Sequence, residues 1–178
     1  MMSAAEMPVA ERAPSGREPS AFRLAVLALI LGGLIAYQGY GEVLRRYRFA
    51  INQTESLPNW AFIADQANRT PHRGQMVAFV PPKTPFYPDG MVFGKIVAGV
   101  PGDRIELRGR EVFVAGKSVG LAKPRSRTGL AVEPIAPGVI PPNHYFVMTP
   151  HPDSLDSRYA MIGLIPRARI LGVAKPVM

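Results

Sequence analysis

The chain contains no cysteine. That absence excludes disulfides, thiol nucleophiles and thiolate zinc sites, and it fits a reducing or an oxidising compartment equally well. Histidine is scarce, with His72 and His144 standing apart from any patterned partner. Also missing are an internal repeat, a glycine-rich phosphate loop, a zinc motif, a DNA-binding helix pair and an aromatic stacking pattern. Nucleic acid is therefore set aside as a partner, despite a net charge of +8 and a pI of about 10.2. Anionic lipid headgroups remain a partner that this charge suits.

What is present is a globular composition, 47% apolar and 19% charged over 178 residues, enough for one domain of ordinary size. Met1 to Ser20 is rich in Ala, Pro, Glu, Ser and Arg without apolar periodicity, and it reads as a disordered tail. Between Arg23 and Glu42 no residue is charged. As a helix, Leu24 to Gly41 would be about 27 Å long, close to the thickness of a bilayer core. The expectation is an uncleaved membrane anchor, with a cleaved signal sequence and a soluble core helix as the alternatives. Charge does not orient it, because Arg12, Arg17 and Arg23 before the segment are balanced by Arg45, Arg46 and Arg48 after it.

Beyond the anchor, proline, glycine and short β-like runs dominate, and no useful amphipathic helical pattern occurs. The fold class expected is mainly β. Strands are predicted over Met76–Val80, Met91–Val100, Arg104–Leu107, Glu111–Ala115, Tyr145–Thr149 and Arg169–Ala174. Pro101-Gly102-Asp103 and Arg108-Gly109-Arg110 carry turn chemistry and point to a meander. Ala122 to Pro142, rich in proline, is expected to be a long surface excursion that shapes a substrate groove. The Lys and Arg excess between Arg104 and Arg127 reads either as an ordinary solvated face or as a surface held near anionic lipid.

Lys95 is the only charge between Asp89 and Asp103. Strand alternation puts it on one face with Met91, Phe93 and Val97, where burial would penalise its charged form and leave an amine able to accept a proton. The plainer reading is a lysine whose stem packs on the sheet while its amine reaches water. Ser56, just before Leu57-Pro58, lies in a stretch that proline pushes towards extended backbone. Thr54 would share its face, so the Thr54 hydroxyl and the Ser56 N–H can both point at one developing oxyanion. Serine and threonine beside proline are also ordinary loop chemistry. In the late run His151 to Tyr159, Asp156 and Arg158 can pair and stiffen the loop, leaving Ser154 to bond a neighbouring amine. His151 and Asp153 also permit a Ser-His-Asp triad with Ser56, which would leave Lys95 unexplained.

These three motifs, in this order behind one apolar segment, resemble the type I signal peptidases that use a serine-lysine dyad. N-Q-T-E-S-L-P is similar to the nucleophile box, G-K-I-V-A-G-V-P-G-D to the lysine box, and H-P-D-S-L-D-S-R-Y to the late Asp-Ser-Arg box. The nearest match is the conjugal-transfer TraF peptidases, with Thr two positions before the serine and His-Pro opening the late box. Leu57 replaces the usual methionine of housekeeping leader peptidases, and Ala160-Met161 stands where an aromatic residue and glycine are customary.

The resemblance implies an antiparallel β domain over 42–178, behind an anchor at 21–41 and a cytoplasmic tail at 1–20. It implies catalytic Ser56, Lys95 and Asp156, an oxyanion hole from Thr54 and the Ser56 N–H, and support from Ser154 and Arg158. It implies no metal and no cofactor. The expected protein is a periplasm-facing, inner-membrane serine endopeptidase that cuts the signal sequence of an exported protein, such as a conjugative pilin precursor, with the acyl-enzyme opened either by water or by the pilin's own amino group to give a ring. A broad-range leader peptidase and a non-catalytic tethered β module of a secretion apparatus are the alternatives.

Overall fold

The structure, a computed structural model, describes residues 20–51 and 61–177. Most of the expected tail lies outside the described residues, and so do Thr54 and Ser56. The chain divides after Gly41 into two units. The first is helical. Helix α1 spans Ala21–Arg46 and reaches a mean hydropathy of 1.8, long and apolar enough to cross a membrane. It runs past the expected end of the anchor because Glu42, Arg45 and Arg46 are good helix formers and the two arginines lie at the negative end of the helix dipole.

The second unit is antiparallel β, in two sheets. Its strands are β1 (Tyr47–Ile51), β2 (Ala61–Asp65), β3 (Met76–Phe79), β4 (Phe93–Gly99), β5 (Arg104–Arg108) and β6 (Glu111–Val114). They continue with β7 (Lys117–Leu121), β8 (Gly138–Val139), β9 (His144–Met148), β10 (Ile165–Pro166) and β11 (Ile170–Pro176). The larger sheet runs β1-β2-β11-β3-β4-β9-β10 and the smaller β7-β6-β5-β8. All six predicted strands form, but the expected meander through the two turns does not: Pro101-Gly102-Asp103 carries the chain from β4 in the larger sheet to β5 in the smaller, where β5-β6-β7 is the meander. β4 and β9 are neighbours in the larger sheet, so the smaller sheet is an insertion between two adjacent strands.

Three buried clusters among the described residues follow from this layout, the smallest formed by Phe62, Ala64, Ala78 and Ala174 of the larger sheet. Val77, Phe79, Phe93, Val97 and Val147 centre the first on the larger sheet. Ile105, Val112, Val114, Ile140 and Phe146 centre the second at the smaller one, and Leu155 and Met161 pack against both. The excursion from Ala122 to Pro142 is therefore only partly a surface feature. Ala122, Val132, Ile135 and Ile140 are buried, since prolines between them preset an extended path that turns these apolar side chains inward. Arg110 fastens its base, donating to the carbonyls of Ala122 at 2.8 Å and Val132 at 2.5 Å.

Where β4 leaves the larger sheet, Gly99 has no room for a side chain. A Cβ there would stand 2.6 Å from Ile140 Cδ1, 2.7 Å from Val114 Cγ1 and 3.0 Å from Phe146 Cβ. Gly99→Val should therefore destabilise the purified full-length protein by about 1–3 kcal/mol, an overpacking cost that thermal or urea unfolding would register. Unchanged stability would contradict this packing.

Candidate active site

The alternation of β4 sets the site. Phe93, Lys95, Val97 and Gly99 face inward and are buried, while Gly94, Ile96 and Ala98 between them are half-buried. Lys95 is held in register opposite Val77 of β3, and its neighbours Ile96 and Val97 pair with Met148 and Val147 of β9. An ammonium placed there is 5% exposed, with its Nζ 5.6 Å from the centroid of the Phe93 ring. Lys95 Nζ donates to Ser154 Oγ at 2.6 Å.

Ser154 is delivered by the loop that follows β9. That loop is organised by an ion pair between Asp156 and Arg158, which are 0% and 2% exposed. Asp156 Oδ1 accepts from Arg158 Nε at 2.9 Å and from the Arg158 backbone N–H at 3.1 Å. Its Oδ2 accepts from Arg158 Nη2 at 2.8 Å and from the Thr149 N–H at 3.3 Å. Arg158 Nη2 also donates to the carbonyls of His151 at 3.1 Å and Ser154 at 3.4 Å, so the guanidinium grips the loop from inside. Gly120 of β7 leaves space for it, because a Cβ there would stand 3.1 Å from Arg158 Nη1.

Burial pushes the Lys95 ammonium down to about 8 from the ordinary 10.5. The Asp156 carboxylate opposes the shift and the Arg158 guanidinium adds to it. The two charges work against each other, so desolvation decides the outcome. At neutral pH a useful minority of the amine is uncharged and able to take a proton. Burial also works against the Arg158 charge, but hydrogen bonding to Asp156 and its negative charge outweigh it and hold the guanidinium above its ordinary value.

The structure thus brings Lys95, Ser154, Asp156 and Arg158 together, while Thr54 and Ser56 lie outside the described residues. It does not assemble a His151–Asp153 pair of the triad kind. His151 Nδ1 accepts the Asp153 backbone N–H at 3.1 Å, and the Asp153 carboxylate pairs with Lys123. Two supports escaped the reading of the sequence. Ser157 clips the loop to β9, its N–H donating to the Val147 carbonyl at 2.9 Å and its Oγ accepting the Val147 N–H at 3.0 Å. The other is the Thr149 N–H already described. A small hydroxyl residue between Asp156 and Arg158 was the only sequence signal for the first, and a backbone donor leaves none.

This arrangement sits in a chain whose residues 22–178 match the family described as signal peptidase, peptidase S26. The protein belongs to that family and is a serine peptidase, a hydrolase. It is similar to the conjugal transfer protein TraF of Agrobacterium fabrum strain C58, 29% identical over 171 residues, or 86% of this chain and 92% of that one. The same protein of Agrobacterium tumefaciens strain 15955 is 30% identical over 148 residues, covering 74% and 81% of the two chains. A probable conjugal transfer protein TraF of Sinorhizobium fredii strain NBRC 101917 / NGR234 is 28% identical over 177 residues, 90% of each. Among solved structures, a signal peptidase I from Enterococcus faecalis V583 matches with a TM-score of 0.38 at 23% identity, over 60% of this chain and 97% of that one.

The buried lysine has a measurable signature. Below about 8 the amine is charged in the folded and unfolded states alike, and its burial costs about 3 kcal/mol at about 1.4 kcal/mol per tenfold change in proton affinity. Between about 8 and 10.5 the folded protein releases the proton while the unfolded chain keeps it, so stability rises with pH. Lys95→Met should accordingly be more stable than wild type at pH 7, and that advantage should shrink by about 3 kcal/mol towards pH 11 in paired denaturant titrations. An advantage independent of pH would show that the amine is not desolvated.

Proposed function

We propose that this protein is a membrane-anchored endopeptidase that removes the signal sequence of an exported protein through a Ser56–Lys95 dyad. The observation that carries the reading is the Lys95 amine, buried on β4, held by Ser154 at 2.6 Å and lowered to about 8, in a chain of the S26 family. Ser56 Oγ attacks the scissile carbonyl as neutral Lys95 takes its proton. The charge that develops on the carbonyl oxygen is met by the Thr54 hydroxyl and the Ser56 N–H, donors whose removal typically costs a factor of about 10² to 10³ in rate. Lys95 then returns the proton to the leaving amine, and water opens the acyl-enzyme. Ser154 orients the amine, and Asp156 and Arg158 hold Ser154 in place.

Similarity to conjugal transfer proteins supports a narrower substrate, the pilin precursor of a conjugative or type IV secretion system. For such a substrate the acyl-enzyme can instead be opened by the pilin's own amino group, giving a ring. The chemistry orients the anchor, since signal sequences are cut where they leave the membrane. The β domain then faces the periplasm from the inner membrane, with residues 1–20 in the cytoplasm.

Two experiments test the reading. The kcat/KM for peptide cleavage should rise with pH through an apparent pKa near 8. Lys95→Arg should be inactive at every pH because a guanidinium does not deprotonate. A rate flat across that range would remove Lys95 from the role of base. In cells, mass spectrometry of the candidate pilin should find a shortened chain with wild-type enzyme, lighter by one water where a ring has closed. Ser56→Ala should leave the precursor intact, and processing that persists would end the dyad reading.

A further inference from the structure

One residue removed from Lys95 lies a cavity of about 210 Å³ that the proposed chemistry leaves unused. Ser154, whose Oγ holds the amine, forms part of its wall. Its floor is apolar, built by Phe86 and Tyr87 from the segment before β4 and by Leu155 from the loop after β9. Its rim is basic, with Lys123, Arg125 and Arg127 entering from the proline-rich excursion.

The rim is held in shape by its own bonds. Arg125 and Ala131 form an isolated antiparallel bridge, the Ser126 N–H donates to the Leu130 carbonyl at 2.8 Å, and the Val132 N–H donates to the Pro124 carbonyl at 3.1 Å. The Lys123 N–H is taken by the Tyr159 hydroxyl at 3.2 Å, which ties this small loop to the chain beside Arg158.

The three cations differ in what they have left to offer. Lys123 is committed to Asp153, which also lines the cavity and whose carboxylate it holds below the usual range, with Arg127 adding to the effect. Arg125 gives Nη1 to the Gly129 carbonyl at 3.0 Å. Among the described residues neither Arg125 nor Arg127 has an acidic partner. With Asp153 matched by Lys123, the opening keeps an excess of two positive charges, Arg125 and Arg127, above an apolar floor, and this suits a ligand with a short apolar stem and a carboxylate at its end. The volume is below the roughly 300 Å³ at which small-molecule pockets begin, which suits a single side chain.

The geometry points to a specificity site, in which Arg125 and Arg127 take the carboxylate of an Asp or Glu side chain close to the scissile bond of the peptide substrate. This rests on the peptidase reading above and names part of its substrate. A peptide fits better than a lipid headgroup because the cavity is walled by the residue that holds the candidate base.

The test uses the full-length enzyme in detergent micelles and a proteome-derived peptide library, with cut sites located by mass spectrometry. Wild type should show Asp or Glu enriched at one fixed position within a few residues of the cut. Arg125→Glu with Arg127→Glu should move that preference to Lys or Arg. Matched Glu and Gln versions of one well-cut peptide should differ about tenfold in kcat/KM, and the gap should close in Arg125→Gln with Arg127→Gln. Cutting without a positional acidic preference, or with one that survives charge reversal, overturns the cavity assignment and leaves the peptidase reading standing.

A binding measurement separates the two ideas if no peptide is cut. Fluorescein-labelled Ala-Ala-Glu-Ala-Ala should bind the enzyme more tightly than its Gln counterpart by fluorescence anisotropy, with the difference abolished by charge reversal. That result supports the cavity even where cleavage fails. Equal binding of the two peptides overturns it. So does loss of phosphatidylglycerol vesicle binding on charge reversal without any discrimination between the peptides, which would give the arginines to lipid.

Discussion

The buried ion pair of Asp156 and Arg158 is the interaction on which the site depends. Two residues apart, they cannot form a distant brace, and they instead fold the loop about themselves. The carboxylate gathers four donors, three of them from Arg158 and one from the end of β9. The guanidinium then reaches the carbonyls of His151 and Ser154. A buried pair of this kind gives little net stability by itself, since desolvation of both charges offsets their attraction. Its effect is positional. It fixes Ser154, and Ser154 fixes the amine of Lys95.

The same pair also shapes the electrostatics. A lone buried carboxylate near Lys95 would hold its proton on, and a lone guanidinium would drive it off more strongly. Together they oppose each other at the amine, and exclusion from water, the largest influence, sets the direction of its shift. A minority of the amine is neutral near pH 7 as a result.

How much of this the sequence made legible depends on the range over which each contact acts. Lys95 facing a buried cluster followed from alternation within seven residues, and the strands β3, β4, β5, β6, β9 and β11 followed from the same kind of pattern. β8 and β10, two residues each, are too short to carry a period, and β7 with its exposed ends has no buried face to alternate against. β1 and β2 fell in the stretch between the anchor and the first clear turn, where the apolar run of the helix masked them. The excursion misled because proline content signals a loop but says nothing about which side chains between the prolines are buried. At the site, the pairing of Asp156 with Arg158 was local and visible. The meeting of Lys95 with Ser154, 59 residues apart, rested on family resemblance and on no pattern in the chain.

The smaller sheet enters and leaves the larger one through β4 and β9, which lie side by side. A loop that starts and finishes at adjacent points closes whatever its content, so the span between them is free to lengthen, shorten or exchange. Lys95 is laid down before that span and Ser154 after it, so neither belongs to it. The architecture therefore separates inheritance of the reaction from inheritance of the surface around it. The surface between the two strands is encoded by one contiguous stretch of gene, and Lys95 lies just before it and Ser154 just after it.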